Sequence, residues 1–141
     1  MNRIYWDSML FIYLLEGNPI FGARVKALFE SVVRRNDRLC TSVFTLGEVL
    51  TGPRRQNDAA AIKAIKAFFA SDEVEVLALT ADAADRYSVI RASMRVSQAD
   101  AIHLATASAN GVELFVTNDR DLQRVTVPGI RFMMDLDGRV Y

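Results

Sequence analysis

Several residue types that define common kinds of site are scarce in this chain. Of its 141 residues only one is a cysteine, Cys40, so an internal disulfide is excluded and a reducing cytoplasm is the compartment that fits best. The glycine patterns GxGxxG and GxxxxGK[ST] are both absent. The usual sequence arguments for a dinucleotide site or a P-loop therefore do not apply.

The chain also lacks a long apolar run and a net charge. No run reaches the roughly 18 residues that a membrane span needs, and Asp7 interrupts the N-terminal stretch where a signal peptide would stay apolar. We therefore expect a soluble, untargeted protein that folds as a single domain over residues 1–141. Seventeen basic residues balance seventeen acidic ones, so a nucleic-acid partner would be held by local patches, a metal or another chain.

Three carboxylates stand alone in stretches that otherwise carry no charge. They are Asp7 within residues 4–15, Glu48 within residues 39–53 and Asp100 within residues 96–112. We expect such stretches to be drawn toward the core, and a buried carboxylate without a partner costs several kcal/mol or a large upward pKa shift. A fourth acid, Asp119, follows the apolar run 114–116, where a buried strand would end. A shared divalent metal is the simplest compensation for all four.

Short apolar runs alternate with helical patterns along the chain. The runs predict strands at residues 3–6, 39–41, 74–77, 114–117 and 130–133, and the patterns predict helices at residues 8–15, 21–35, 43–50, 59–70, 81–95 and 99–110. Gly17, Gly52 and Gly111 are expected to end helices, and Thr80 and Ser97 to cap them. This alternation favours an α/β fold whose parallel sheet is covered on both faces.

The fold class gives the acids a common location. Ligands of such sheets bind outside the carboxyl ends of the strands, near the point where the strand order reverses. Asp7 closes the first strand and Asp119 follows the fourth, so both would project from one edge if those strands are neighbours. Oxygen ligands of this kind select Mg²⁺ or Mn²⁺ over zinc.

The acids and their surroundings resemble the PIN-domain nucleases and, within them, the VapC-type toxins of toxin–antitoxin pairs. The matching pieces are YWDS at residues 5–8 with the following FIYLLEGNP, TLGEV at 45–49, QADAIHLATA at 98–107 and VTNDRDL at 116–122. The resemblance spans nearly the whole chain. It implies a three-layer α/β/α sandwich with a central, mostly parallel sheet of four or five strands.

The resemblance also implies an activity and partners. The expected function is a cytoplasmic, Mg²⁺-dependent endoribonuclease, with Mn²⁺ as a substitute, that acts as the toxin of such a pair. The expected partners are RNA, a VapB-type antitoxin and a second copy of the chain in a homodimer. Asp7, Glu48, Asp100 and Asp119 would be both metal ligands and catalytic residues, and Asp121 is a possible extra ligand.

Each acid also has a local explanation. Asp7 and Asp119 could cap the helices that follow them, and Ser97 with Asp100 matches a capping box. For Glu48 no base lies within four residues on its helix. His103 lies one turn beyond Asp100, and the spacing favours a packing or supporting role over that of a general base. One shared metal explains the four acids more simply than four separate local roles.

Four other functions share part of this pattern. A phosphatase or a phospho-receiver would fit an acid after the first strand, but such domains usually use a lysine late in the sheet, and the only lysines here are Lys26, Lys63 and Lys66. The other two are a PIN-like RNA-processing nuclease without a toxin role and a catalytically silent binding scaffold of the same fold.

Overall fold

A computed structural model describes residues 1–137, and a central sheet organises them. The strands are β1 (Arg3–Trp6), β2 (Arg38–Ser42), β3 (Glu75–Leu77), β4 (Val112–Val116) and β5 (Ile130–Met134). The helices are α1 (Ser8–Glu16), α2 (Gly22–Arg34), α3 (Val43–Arg55), α4 (Ala59–Ala70), α5 (Ala81–Ser93) and α6 (Gln98–Ala109), with a short 3₁₀ helix at Leu122–Arg124. Residues 138–141 of the predicted domain lie outside the described residues.

All neighbouring strands are parallel, in the order β3-β2-β1-β4-β5. The chain builds outward from β1 through β2 to β3 and then returns to the other side of β1 with β4. Tyr5 pairs with Phe115 in register, so β1 and β4 are the neighbours that the sequence argument required. The strand order reverses between them, which is the place where such sheets leave a crevice.

Alternation along the strands divides the core into two layers. Ile4 and Trp6 on β1 pack against α1, α2, α3 and α4, whereas Tyr5 packs with α5 and α6 on the opposite face. The predicted three-layer α/β/α sandwich is therefore confirmed. Among residues 1–137, no helix combines the length and apolarity needed to cross a membrane.

Local chemistry explains most helix boundaries. Thr80 and Ser97 cap α5 and α6 as predicted, because each side-chain oxygen accepts a hydrogen bond from a backbone N–H in the first turn. Gly17 ends α1 in the left-handed conformation, with φ at 62°.

The predicted stop at Gly52 is wrong. Helix α3 continues through Gly52 and Pro53 to Arg55, and the left-handed residue beyond it is Asn57, with φ at 52°. Gly52 is itself helical, so its freedom to adopt a positive φ is not used there.

Cys40 lies fully buried in β2, between β1 and β3. Burial raises the pKa of its thiol to about 12.

Candidate active site

The four predicted acids line one cleft at the carboxyl ends of β1 and β4. The cleft has a volume of about 210 Å³ and is lined by Asp7, Ser8, Met9, Tyr13, Glu48, Asp100, His103, Asn118 and Asp119. This lining has four acids and neither lysine nor arginine. A larger cavity of about 470 Å³ between α1, α3 and α4 is mainly apolar and contains none of the four acids.

Asp7 forms the buried floor of the cleft. It precedes α1, but its side chain makes no capping bond. Instead, the Thr117 hydroxyl donates a hydrogen bond to Asp7 Oδ2, while Asp7 Oδ1 is buried without a hydrogen-bond partner among residues 1–137. Burial raises the pKa of Asp7; the bond from Thr117, the charge of His103 and the backbone N–H of Leu10 in the first turn of α1 oppose that rise, and the nearby Asp100 adds to it. Capping is therefore a minor contribution to the environment of this carboxylate.

Asp119 lies on the loop after β4 and is exposed. Its backbone N–H donates to Thr117 Oγ1 at 3.1 Å, so a single hydroxyl contacts both Asp7 and the Asp119 backbone. Asp119 Oδ1 accepts from the backbone N–H of Asp121 at 2.9 Å, which is a local turn contact. The predicted helix at Arg120 is wrong, because the 3₁₀ helix begins at Leu122 and its N-cap is Asp121. Asp121 itself does not line the cleft.

Asp100 reaches the cleft from the first turn of α6. The Ser97 hydroxyl accepts from the Asp100 backbone N–H at 3.1 Å, which caps this turn and supplies one of the two bonds of the predicted capping box. Burial raises the pKa of the Asp100 carboxyl, and the charges of Asp119 and Glu48 raise it further, against the effect of Ser97. The carboxylates in the cleft therefore repel one another.

Glu48 extends from α3 and is held by a residue distant in sequence. Glu48 Oε1 lies 2.6 Å from His103 Nε2, and His103 Nδ1 lies 2.7 Å from the Tyr5 hydroxyl. The spacing of His103 in the sequence predicted a supporting role for it but not these two partners. No local pattern could have shown them, because the contacts join residues 55 and 98 positions apart.

The expected burial of the isolated acids holds only for Asp7, which is 8% exposed. Glu48 and Asp100 are of intermediate exposure, because each lies on the cleft side of a helix whose apolar neighbours face the core.

The cleft fits a hard divalent cation by its chemistry. Its acidic oxygens carry negative charge that no lysine or arginine of the lining offsets, and Asp7 Oδ1 is a buried acceptor without a hydrogen-bond partner. Within the described part of the chain, however, no three Asp, Glu, His or Cys side chains already stand close enough to form a metal site. The acids therefore line one cleft without forming a closed set of ligands.

Comparison with known proteins agrees with this architecture. The PIN domain family matches residues 4–128. A comparison with curated proteins gives no match.

Solved structures share the fold at low sequence identity. A chain of VapBC2 from Rickettsia felis, bound to a DNA fragment from its promoter, has a TM-score of 0.76 at 16% identity over 94% of this chain and 98% of that one. VapC20 from Mycobacterium tuberculosis, described as a toxin that cleaves the sarcin-ricin loop, has a TM-score of 0.73 at 23% identity over 91% and 98%. A chain of DNA-bound VapBC from Salmonella typhimurium has a TM-score of 0.70 at 24% identity over 96% and 99%.

Proposed function

The chain belongs to the PIN domain family, and on that premise we propose that it is a Mg²⁺-dependent endoribonuclease acting as the toxin of a toxin–antitoxin pair. The observation that carries the proposal is the convergence of Asp7, Glu48, Asp100 and Asp119 on one cleft where the strand order reverses. RNA is the substrate class that fits best, because one of the structural neighbours is named as a toxin that cleaves the sarcin-ricin loop.

In this proposal Asp7, Asp100 and Asp119 hold Mg²⁺, with Mn²⁺ as a substitute. When bound, a divalent ion supplies Lewis-acid chemistry to phosphodiester hydrolysis. Glu48 either joins this ligand set or orients the attacking water with the oxygen that His103 leaves free. In-line attack by water breaks the P–O3′ bond and leaves a 5′-phosphate.

Nucleophilic catalysis by the protein has little support in this cleft. Ser8 lines it, but the only histidine, His103, uses both ring nitrogens on Tyr5 and Glu48. A Ser–His pair of the kind that activates a hydroxyl is therefore not assembled.

Substitution of single ligands tests the activity. Asp7→Asn or Asp100→Asn should abolish Mg²⁺-dependent RNA cleavage while the protein stays folded, because an amide keeps the shape of the side chain and loses its charge. Asp85→Asn, at an exposed position on α5, is the matched control and should cleave like wild type. Unchanged cleavage by both ligand variants would refute the proposed metal-dependent nuclease.

The toxin role is a separate part of the proposal. Three structural neighbours come from toxin–antitoxin or VapBC complexes, and an acidic cleft favours docking of a basic segment. Met9 and Leu15 on α1, which are 41% and 37% exposed, would supply apolar contacts beside it.

Expression of wild type should arrest growth, and co-expression of the adjacent antitoxin gene should relieve the arrest. Light scattering of the purified protein and its complex would test the expected homodimer. A cleaving enzyme that is harmless and binds no antitoxin would instead be an RNA-processing nuclease without a toxin role.

A further inference from the structure

A buried chain of hydrogen bonds runs from the start of α3, through the sheet and α6, back to the cleft. The Ser42 backbone N–H donates to the Tyr5 hydroxyl oxygen at 3.2 Å. That hydroxyl lies 2.7 Å from His103 Nδ1, and His103 Nε2 lies 2.6 Å from Glu48 Oε1. We propose that Tyr5 and His103 are positioning residues that hold the Glu48 carboxylate in its working orientation. This inference rests on the proposed nuclease function.

The carboxylate at the end of this chain fixes the direction of one hydrogen bond. An ionised carboxylate only accepts, so the proton between Glu48 and His103 belongs to Nε2, which donates it to Oε1. Burial raises the pKa of Tyr5 far above its ordinary value, so the other end of the chain is a neutral hydroxyl.

Packing fixes the plane of the imidazole. His103 is 2% exposed, and its ring lies between Tyr5 and Phe44, with centroid distances of 5.9 and 5.8 Å. Tyr5 is in turn stacked on Phe115 at 4.9 Å and 10°. The imidazole therefore reaches the cleft as a rigid donor whose direction is set by the core.

The two carboxylate oxygens of Glu48 therefore have different environments. Oε1 is held by His103, while Oε2 makes no hydrogen bond within residues 1–137. A glutamate side chain has three rotatable bonds, and the contact with His103 restricts the rotation of the Glu48 carboxylate. Oε2 is thereby presented to the cleft, where Asp7 and Asp100 also lie.

Partners that orient a metal ligand usually contribute 10–100-fold to metal affinity or activity, as an order of magnitude. Truncation in His103→Ala should weaken Mn²⁺ binding by about that factor. Tyr5→Phe keeps the ring in the core and removes only the hydroxyl, so binding should weaken in the same direction by a smaller factor. His103→Gln offers an amide N–H near the position of Nε2 and should bind Mn²⁺ more tightly than His103→Ala.

Two measurements test this on the full chain without RNA. Because His103 is the only histidine, ¹⁵N NMR of the tag-free, metal-free protein reports a single imidazole, and it should show a proton on Nε2. EPR titration with Mn²⁺ as the probe then gives the Mn²⁺ affinity of wild type and of each variant. Each titration is made below the melting temperature of the protein that is titrated. Tyr87→Phe, which removes a hydroxyl from another aromatic packed on the same core layer, is the matched control and should bind like wild type.

The outcomes separate this inference from the function on which it rests. An Nε2 that carries no proton, or equal Mn²⁺ affinity in wild type, Tyr5→Phe and His103→Ala, would overturn the positioning role and leave the nuclease proposal intact. A wild-type protein that neither binds Mn²⁺ nor cleaves RNA would overturn both.

Discussion

At the scale of single residues, the hydroxyl of Thr117 connects two acids of the cleft. It donates to Asp7 and accepts from the Asp119 backbone. Thr117→Val should lower Mg²⁺-dependent cleavage by about 10–100-fold, because both contacts to proposed ligands are lost. Thr117→Ser keeps the hydroxyl and should retain most of the activity, which cleavage assays of the two variants at matched folded concentration would measure. Activity kept in Thr117→Val and lost in Thr117→Ser would mean that the methyl packing matters and the hydroxyl does not.

The raised pKa values of Asp7 and Asp100 determine how the metal-free protein responds to pH. In the unfolded chain these acids titrate near 3.9, as an approximate reference. Because burial raises their folded pKa values, the folded state binds more protons than the unfolded state above about pH 4. Stability should be full below that pH and should fall as pH rises through the folded pKa values.

Asp7→Asn should remove much of this pH dependence. In EDTA the variant should melt higher than wild type at pH 7, and the difference should shrink toward pH 4. Each kcal/mol corresponds to roughly 2–4 °C in a chain of this size. Thermal melts of both proteins from pH 4 to pH 8 provide the measurement. A lower melting temperature for Asp7→Asn at pH 7 would show that the ionised carboxylate stabilises the fold without metal.

The candidate acids could be found from sequence because each stands alone among apolar residues. Their supporting contacts could not, since the bonds from Tyr5 to His103 and from His103 to Glu48 depend on how α6 packs on the sheet. The expected burial failed for Glu48 and Asp100 for a related reason: apolar neighbours in a helix do not determine which side a given residue faces.

At the scale of elements, the N-caps of α5 and α6 form a matched pair. Thr80 and Ser97 each accept a hydrogen bond from the third residue beyond them, so either change to alanine should cost about 1 kcal/mol of stability. Only α6 carries Asp100 in its first turn. Ser97→Ala should therefore also reduce cleavage severalfold, whereas Thr80→Ala should not.

Denaturant melts and cleavage rates of the two variants would separate these effects. Loss of activity in both variants would mean that lower global stability, and not the placement of Asp100, causes the loss.

Element positions followed closely from sequence, and the errors lie at boundaries. Strand β1 was predicted to the residue, and α4 likewise. The stop at Gly52 failed because glycine permits a left-handed turn without requiring one, and Asn57 adopts it five residues later.

At the scale of the whole molecule, the strand order creates the cleft. Alternating strands and helices predict a parallel sheet, but the pairing of β1 with β4 joins residues about 110 positions apart and leaves no local signal. Asp7 and Asp119 could project from one edge only if β1 and β4 were neighbours, and the sheet pairs these two strands.

A bound metal should stabilise the whole fold by mass action. If Mg²⁺ binds only the folded cleft, a hundredfold excess over its dissociation constant adds about 2.7 kcal/mol. Asp100→Asn removes one ligand and one repelling charge, so this variant should melt higher than wild type in EDTA yet gain less from Mg²⁺ or Mn²⁺. Calorimetric melts with and without metal, with Asp85→Asn as control, measure both effects. If EDTA leaves wild type unaffected and Asp100→Asn melts lower, then Asp100 serves the cap of α6 alone.

The burial of Cys40 makes the reaction rate of its thiol a measure of how often the sheet opens. Its thiol lies in the second strand, between two hydrogen-bonded neighbours, and its pKa of about 12 leaves almost no thiolate at neutral pH. A disulfide reagent can therefore react only when the sheet opens. The rate of labelling in native buffer would therefore report how often the sheet opens, without any substitution in the chain.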